Sequence, residues 1–141
     1  MDKTGGCLCG AVRYRTTGDL RPVVYCHCGQ CRRTGGHFGA FTSVAEGALA
    51  LTEAGGLAWF ESSPGVRRGF CRDCGSSLFW QRVGNGRISV AAGTLDDDSG
   101  LVAAGHIFAQ DKGGYYAIDD GLPVFDESSG GVLPESGTAG G

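Results

Sequence analysis

The sequence has 141 residues, with 12 Lys and Arg against 15 Asp and Glu and a formal net charge of −3 when histidine is neutral. This length predicts one domain with a real core, and the charge balance argues against a nucleic-acid partner, which requires a basic field. No apolar run approaches the roughly 18 residues of a membrane helix, and the start, MDKTGGCLCG, lacks a signal-peptide pattern. We therefore expect a cytoplasmic protein with no nucleic acid and no membrane as partner.

Short segments with alternating, β-branched or aromatic residues recur between glycine-containing turns, and these are typical of strands. No segment shows a convincing run of apolar residues at helical spacing, although residues 30–34 are compatible with one turn of helix. We predict an all-β domain over residues 1–126. The predicted strands lie at 11–15, 22–25, 38–44, 48–52, 57–60, 77–81 and 87–93.

The composition changes near residue 126. Residues 127–141 are acidic and rich in Ser and Gly, and they contain too few apolar residues to offset the entropy of ordering them. They are predicted to form a flexible C-terminal tail, or to be ordered only by packing on a neighbour.

Seven cysteines in a reducing compartment indicate metal binding rather than disulfides, and the odd number would leave one thiol unpaired. Four of them form two similar turns, in which two cysteines one or two residues apart are followed by glycine. Such turns let two sulfurs converge on one ion, so the pattern predicts a closed structural zinc site; iron fits the same sulfurs, and two unrelated pairs of reduced cysteines are the alternative. The turns contain Cys7, Cys9 and Gly10, and Cys71, Cys74 and Gly75.

The remaining three cysteines, Cys26, Cys28 and Cys31, lie within six residues. Three protein ligands with one open position is the arrangement that catalytic zinc uses. Two alternatives remain open: His37 or His106 closes the site as a second structural Cys₃His zinc, or the three thiols are redox-active.

The spacing CxC, then CHCxxCRR, then CxxCG resembles the glutathione-dependent formaldehyde-activating enzyme family, which includes centromere protein V. The likeness covers about residues 4–125, through GGCLCGAVRY, YCHCGQCRRTGG, FCRDCGSSLFW, ISVAAGTLDD and GHIFAQDKGGYYAIDDGLPVF. His37 and GGYY at 113–116 depart from the family pattern, and we expect them to border the substrate pocket or its rim.

The resemblance implies a β-tent fold of antiparallel sheets with two zinc ions. A structural ion would be held by Cys7, Cys9, Cys71 and Cys74, and an active-site ion by Cys26, Cys28 and Cys31. The implied reaction is carbon–sulfur lyase chemistry, in which glutathione is the cosubstrate and formaldehyde is bound as S-hydroxymethylglutathione.

As a mechanism we expect the open zinc to bind the thiolate or the adduct oxygen of a small thiol compound. Arg32 and Arg33 are candidates to hold glutathione carboxylates, with Arg67, Arg68 and Lys112 as further cations. His106 and His27 are candidate proton carriers, because the pKa of free histidine lies near neutrality.

Two other functions stay open. One is a non-catalytic zinc module that binds a protein partner or carries glutathione. The other is a thiol redox protein, because the implied fold is shared with type B methionine sulfoxide reductases. Exposed strand edges also make a homodimer possible.

Overall fold

The computed structural model describes residues 2–134. Most of the regular structure is β-strand, and the one α-helix in this range has seven residues. Three single turns of 3-10 helix, at Glu46–Ala48, Ala92–Thr94 and Ala109–Asp111, connect strands. The strands are β1 (Lys3–Gly6), β2 (Arg13–Thr16), β3 (Val23–Cys26), β4 (Gly39–Ala45), β5 (Leu49–Glu53), β6 (Leu57–Ser63), β7 (Val66–Cys71), β8 (Ser77–Arg82), β9 (Arg87–Ala91) and β10 (Ala103–Ile107), and the helix is α1 (Gly29–Gly35).

The strands form two sheets. Strands β1, β2 and β5 make a three-stranded antiparallel sheet, and the other seven make a second sheet in the order β10-β3-β4-β9-β8-β7-β6. All neighbours in the large sheet are antiparallel except β10 and β3, which run parallel. The expected antiparallel pairing is thus found throughout except at this edge, where the long connection after β9 returns β10 in the direction of β3.

The prediction of a mostly β domain is confirmed, and seven of the predicted segments overlap strands β2 to β6, β8 and β9. The predicted turn of helix is confirmed as α1. The pattern missed β1, β7 and β10, whose sequences KTGG, VRRGFC and AAGHI lack regular apolar alternation. These strands are specified by pairing with their neighbours rather than by their own residues.

The buried residues fall into two clusters, and each cluster contains one group of cysteines. In β8 four consecutive residues are buried, so both faces of this central strand are covered. The group of three is fully buried, whereas in the group of four Cys7 and Cys71 are buried, Cys74 is half-buried and Cys9 is exposed. The first cluster is Cys7, Val12, Tyr14, Val44, Cys71, Leu78, Phe79, Ile88 and Val90; the second is Val24, Cys26, Cys28, Cys31, Phe41, Val66, Trp80, Ile107 and Leu133.

Part of the predicted tail packs on the domain. The side chain of Leu133 is buried in the second cluster, and Phe108 N–H donates to the carbonyl of Glu127 at 2.9 Å. Residues 135–141 lie outside the described range, so flexibility of that part stays a prediction. No helix in residues 2–134 is long and apolar enough to cross a bilayer.

Candidate metal and substrate site

The first cysteine group brings together the loop before β2 and the turn after β7. The sulfurs of Cys7, Cys9, Cys71 and Cys74 all lie within 4.8 Å of one another. Cys9 Sγ is 3.7 Å from both Cys7 Sγ and Cys71 Sγ. A tetrahedral ion with Zn–S bonds of ~2.3 Å separates its sulfurs by ~3.8 Å, so this group fits zinc.

Local backbone geometry explains why two sulfurs converge in each turn. Gly10 and Gly75, which follow the two cysteine pairs, have φ angles of 85° and 82°, a region that residues with a Cβ rarely adopt. The Gly75 N–H donates to the Cys71 carbonyl at 2.7 Å and closes the second turn. In the first turn Cys7 Sγ accepts from the Val12 N–H at 3.2 Å, as a thiolate ligand does.

The second group lies where β3 ends and α1 begins. Cys26 is the last residue of β3, Cys28 is the N-cap of α1, and Cys31 is the buried residue of that helix. Their sulfurs lie within 4.8 Å of one another, and the Cys31 N–H donates to Cys28 Sγ at 3.3 Å. In residues 2–134 no histidine or carboxylate joins this group, so closure by His37 or His106 finds no support in the geometry.

The three thiols are electrostatically coupled. Hydrogen bonds from the thiols of Cys26 and Cys31 lower the pKa of Cys28 to about 2, while the same interaction with Cys28 raises the pKa of Cys26. The thiolate form is therefore favoured at Cys28 and disfavoured at Cys26. A cation that neutralises the cluster would let all three ionise, which fits a soft divalent metal such as zinc.

A buried arginine lies beside these sulfurs. Arg68, on β7, has only 7% of its side chain exposed, and its Nη2 is 3.6 Å from Cys31 Sγ. Its other contacts are long: Nη1 lies 3.3 Å from Thr34 Oγ1 and Nη2 lies 3.4 Å from Gln30 Oε1. No ion pair of the described residues includes it. The guanidinium stays charged in proteins, so the cysteine cluster is its available counter-charge.

A cavity of about 450 Å³ adjoins both Cys31 and Arg68. Its walls come from α1, β4, β6, β7, β8 and the end of β9 and are mostly apolar. The cysteine cluster therefore has one sulfur at the surface of a space large enough for a small-molecule ligand. The lining side chains larger than alanine are Cys31, Thr34, Phe38, Phe41, Phe60, Arg68, Phe70, Ser77, Leu78 and Phe79.

The predicted cationic residues Arg32 and Arg33 lie elsewhere. Both are exposed on α1 and neither lines this cavity. Their contact with glutathione stays a prediction. Arg68 is the buried cation that does reach the cysteines, and the sequence indicates it only as one of several candidates far from them. The preceding residue, Arg67, instead packs 3.8 Å over the Trp59 ring.

His106 belongs to a chain of hydrogen bonds rather than to the cavity wall. Asp120 Oδ2 accepts from His106 Nε2 at 2.7 Å, and His106 Nδ1 lies 2.9 Å from His27 Nε2. His27 Nδ1 is in turn 2.6 Å from the Tyr116 hydroxyl. An ionised Asp120 makes His106 Nε2 the donor, so in neutral rings His27 Nε2 donates to His106 and Tyr116 donates to His27.

Two pKa shifts agree with this direction. The backbone N–H of Leu122 and then the His106 ring lower the pKa of Asp120 and keep it ionised. Burial and the nearby His106 lower the pKa of His27 to about 4, so His27 is neutral near pH 7. These hydrogen bonds join His27 of the CHC segment to β10 and to Tyr116, and the sequence pattern gave no sign of Asp120 and Tyr116 as partners of the two histidines.

The two departures from the family pattern lie close together. His37 Nδ1 contacts the Tyr115 hydroxyl, and both residues are exposed. Neither lines the cavity beside Cys31, so the expectation that they border it finds no support. Tyr116 lines a separate cavity of about 170 Å³ with His27 and His106.

Comparisons with known proteins find a matching family model and a similar crystal structure. The model of the family described as glutathione-dependent formaldehyde-activating enzyme matches residues 2–111. A crystal structure of a Rhodobacter sphaeroides protein is similar, with 27% identity, 71% of this chain and 97% of that chain covered, and a TM-score of 0.57. Among curated proteins, none matches this sequence significantly.

Proposed function

Because the chain belongs to the glutathione-dependent formaldehyde-activating enzyme family, we propose that it is a zinc-dependent enzyme acting on the adduct of a small thiol and an aldehyde. The reaction makes or breaks one carbon–sulfur bond. The thiol sulfur joins the carbonyl carbon and the thiol proton passes to the carbonyl oxygen; the reverse step releases both partners, as in a carbon–sulfur lyase. The observation that carries this proposal is the cavity that adjoins Cys31.

Zinc on Cys26, Cys28 and Cys31 would supply a Lewis acid with a position left for a ligand. Arg68 offsets the negative charge of the sulfurs from 3.6 Å away. The apolar walls of the cavity exclude water, which strengthens the interaction between the guanidinium and any charge that develops there. Glutathione is the proposed thiol, and Arg32 and Arg33 remain candidates for its carboxylates outside the cavity.

The histidine chain acts through position rather than by touching a substrate. His27 lies between two of the proposed ligands, and its ring is held at one nitrogen by Tyr116 and at the other by His106. Fixing this ring fixes the backbone that aims Cys26 and Cys28. His106 is thus a positioning residue in this proposal, not the proton carrier that was expected.

The other four cysteines would hold a structural ion. Zinc binding of about 10 to 16 kcal/mol in small peptides is comparable to the stability of about 5 to 15 kcal/mol of a whole domain. This ion would join residues near the start of the chain to the turn after β7, so the fold depends on it. Two zinc ions per chain, a cytoplasmic location and a homodimer remain predictions.

Metal content and exchange spectroscopy test the proposal. We expect two zinc ions per chain, and ¹³C exchange NMR should show that the protein speeds interconversion of formaldehyde with its glutathione adduct. Cys31→Ser should keep the fold and one zinc but lose this exchange, whereas Cys71→Ser should lose the fold by circular dichroism.

Other outcomes would contradict the enzyme. Glutathione binding without faster exchange would indicate a carrier, and a disulfide among residues 26–31 after mild oxidation, with loss of zinc, would indicate redox function. Equal loss of fold in both variants would show that the second site is structural.

A further inference from the structure

The cavity beside Cys31 is much larger than the aldehyde that the family name implies. It has a volume of about 450 Å³, whereas a group of one or two heavy atoms is close in size to a water molecule, which takes about 30 Å³ in the liquid. The hydrogen atoms of a formaldehyde adduct would leave most of this space unfilled. Apolar cavities of this size normally enclose most of a bound small molecule.

The polarity of the cavity lining, as well as its size, determines which ligand group fits there. Phenyl rings of Phe38, Phe41, Phe60, Phe70 and Phe79 form much of the wall. Arg68 is the one charged side chain among the described residues that line it, and no lining residue is acidic. The ammonium of a peptide thiol would be desolvated there without a carboxylate partner, which is strongly unfavourable. The wall therefore matches an apolar group rather than the charged parts of glutathione.

Arg68 also offers donors to a ligand. Its contacts within the chain are long: Nη1 lies 3.3 Å from Thr34 Oγ1 and Nη2 lies 3.4 Å from Gln30 Oε1. Its Nε is buried and has no hydrogen-bond partner among the described residues. An adduct oxygen placed beside Cys31 would accept from the terminal nitrogens, while the group attached to the same carbon would face the phenyl rings.

We propose that the cavity binds the hydrophobic side chain of an aldehyde, so that thiol adducts of aromatic or branched-alkyl aldehydes are preferred over the adduct of formaldehyde. This rests on the proposed function and names its substrate class. In the step itself the thiol sulfur bonds to the carbonyl carbon and the thiol proton passes to the oxygen, with no oxidant or reductant required. Burial of a phenyl group predicts an affinity on the order of 10- to 100-fold higher than for formaldehyde.

The cavity rim offers a variant that narrows it without disturbing the core. Gly93 lines the cavity, its φ is outside the left-handed region, and a Cβ added there meets no atom within 4 Å. Gly93→Leu therefore places a side chain at the rim whose Cβ meets no neighbouring atom. Gly47 is a matched control, because it is also the middle residue of an exposed 3-10 turn, has equal free space and lies away from the cavity.

Binding is measured apart from turnover with 4-fluorobenzyl alcohol, which has no carbonyl and forms no thiol adduct. Fluorine NMR of the zinc-loaded full chain should show binding, at least tenfold weaker in Gly93→Leu and unchanged in Gly47→Leu. If Gly93→Leu fails to fold, Phe60→Ala serves instead, since Phe60 is 59% exposed at the rim and its loss should weaken binding severalfold. Binding that is unaffected by these variants, or is absent, would overturn the inference.

Exchange kinetics then separate this inference from the proposed function. With glutathione present, benzaldehyde should be exchanged at concentrations on the order of 10- to 100-fold lower than formaldehyde. If the alcohol binds in the cavity but no aldehyde is exchanged, the enzyme proposal fails and the assignment of the cavity stands. If formaldehyde is exchanged and the alcohol does not bind, the enzyme proposal stands and the assignment of the cavity fails.

Discussion

Replacing Arg68 by methionine tests whether its charge stabilises a metal on the three cysteines. Methionine keeps most of the length and apolar volume of the side chain but removes the positive charge. Three thiolates and one Zn²⁺ carry a net charge of −1, and in the wild type the guanidinium 3.6 Å from Cys31 Sγ opposes it. In Arg68→Met that buried negative charge has no counter-ion.

The size of the effect follows from Coulomb's law. At 3.6 Å and an effective dielectric constant of about 20, unit charges interact by about 5 kcal/mol. The charge is spread over three sulfurs, so the mean separation is larger and about 3 kcal/mol is a better figure. This corresponds to about 100-fold weaker zinc binding at this site. The other zinc site, which Arg68 does not contact, should be unchanged.

Competition with a coloured chelator measures the two zinc affinities as separate phases of release. Arg67→Met is the matched control, because Arg67 is the neighbouring residue on β7 and points away, donating to Gln81 Oε1 at 2.8 Å. Its variant should release zinc as the wild type does. Equal release from Arg67→Met and Arg68→Met, or loss of zinc from the Cys7 site alone, would refute the electrostatic reasoning.

Two further predictions concern positions outside the cavity. Tyr116→Phe should lower the free energy of unfolding by about 1 to 3 kcal/mol, because it leaves Nδ1 of the buried His27 without a donor. Urea denaturation measures this change. The control is Tyr115→Phe, which removes an exposed hydroxyl and should have little effect on stability. A loss equal in the two variants would contradict the hydrogen-bond chain. Hydrogen bonds from Arg13 and Thr4 lower the pKa of Asp96 to about 2, so the stability that Asp96 contributes is present above the unfolded pKa of about 4 and is lost as pH falls toward 2. The free energies of unfolding of wild type and Asp96→Asn should therefore converge as the pH falls from about 4 toward 2. A constant difference between the two over this range would show that the ion pair contributes nothing.

The two cysteine groups could be predicted from the sequence because their geometry is local. A cysteine pair followed by glycine fixes a turn within five residues, and the φ angles of Gly10 and Gly75 show that both turns form as expected. The division into a group of four and a group of three follows from the same spacing and is found in the structure. Strands rich in β-branched and aromatic residues, such as β4 and β8, could be predicted for a similar reason.

The parts that were missed depend on contacts between distant residues. Asp120 reaches His106 from 14 positions away and Tyr116 reaches His27 from 89, and nothing in their segment pairs them with these histidines. Strand β7 was missed because its two arginines interrupt the apolar pattern. That interruption is the signal that bears on function: in VRRG, alternation sends one arginine to the solvent side and the other inward, where burial of a charge requires a partner.

The alternation of side chains along β7 also explains why the arginine beside Cys31 lies on this strand and not on α1. Arg32 and Arg33 follow the cysteines directly, but Cys31 faces the core, and residues one and two positions later on a helix turn away from it by about 100° and 200°. A strand paired across the sheet has no such restriction, since every second residue faces the same side. On this reasoning a cation next to a buried helical ligand in sequence is a poor candidate for its counter-charge. An arginine at the inward position of a neighbouring strand is a better one.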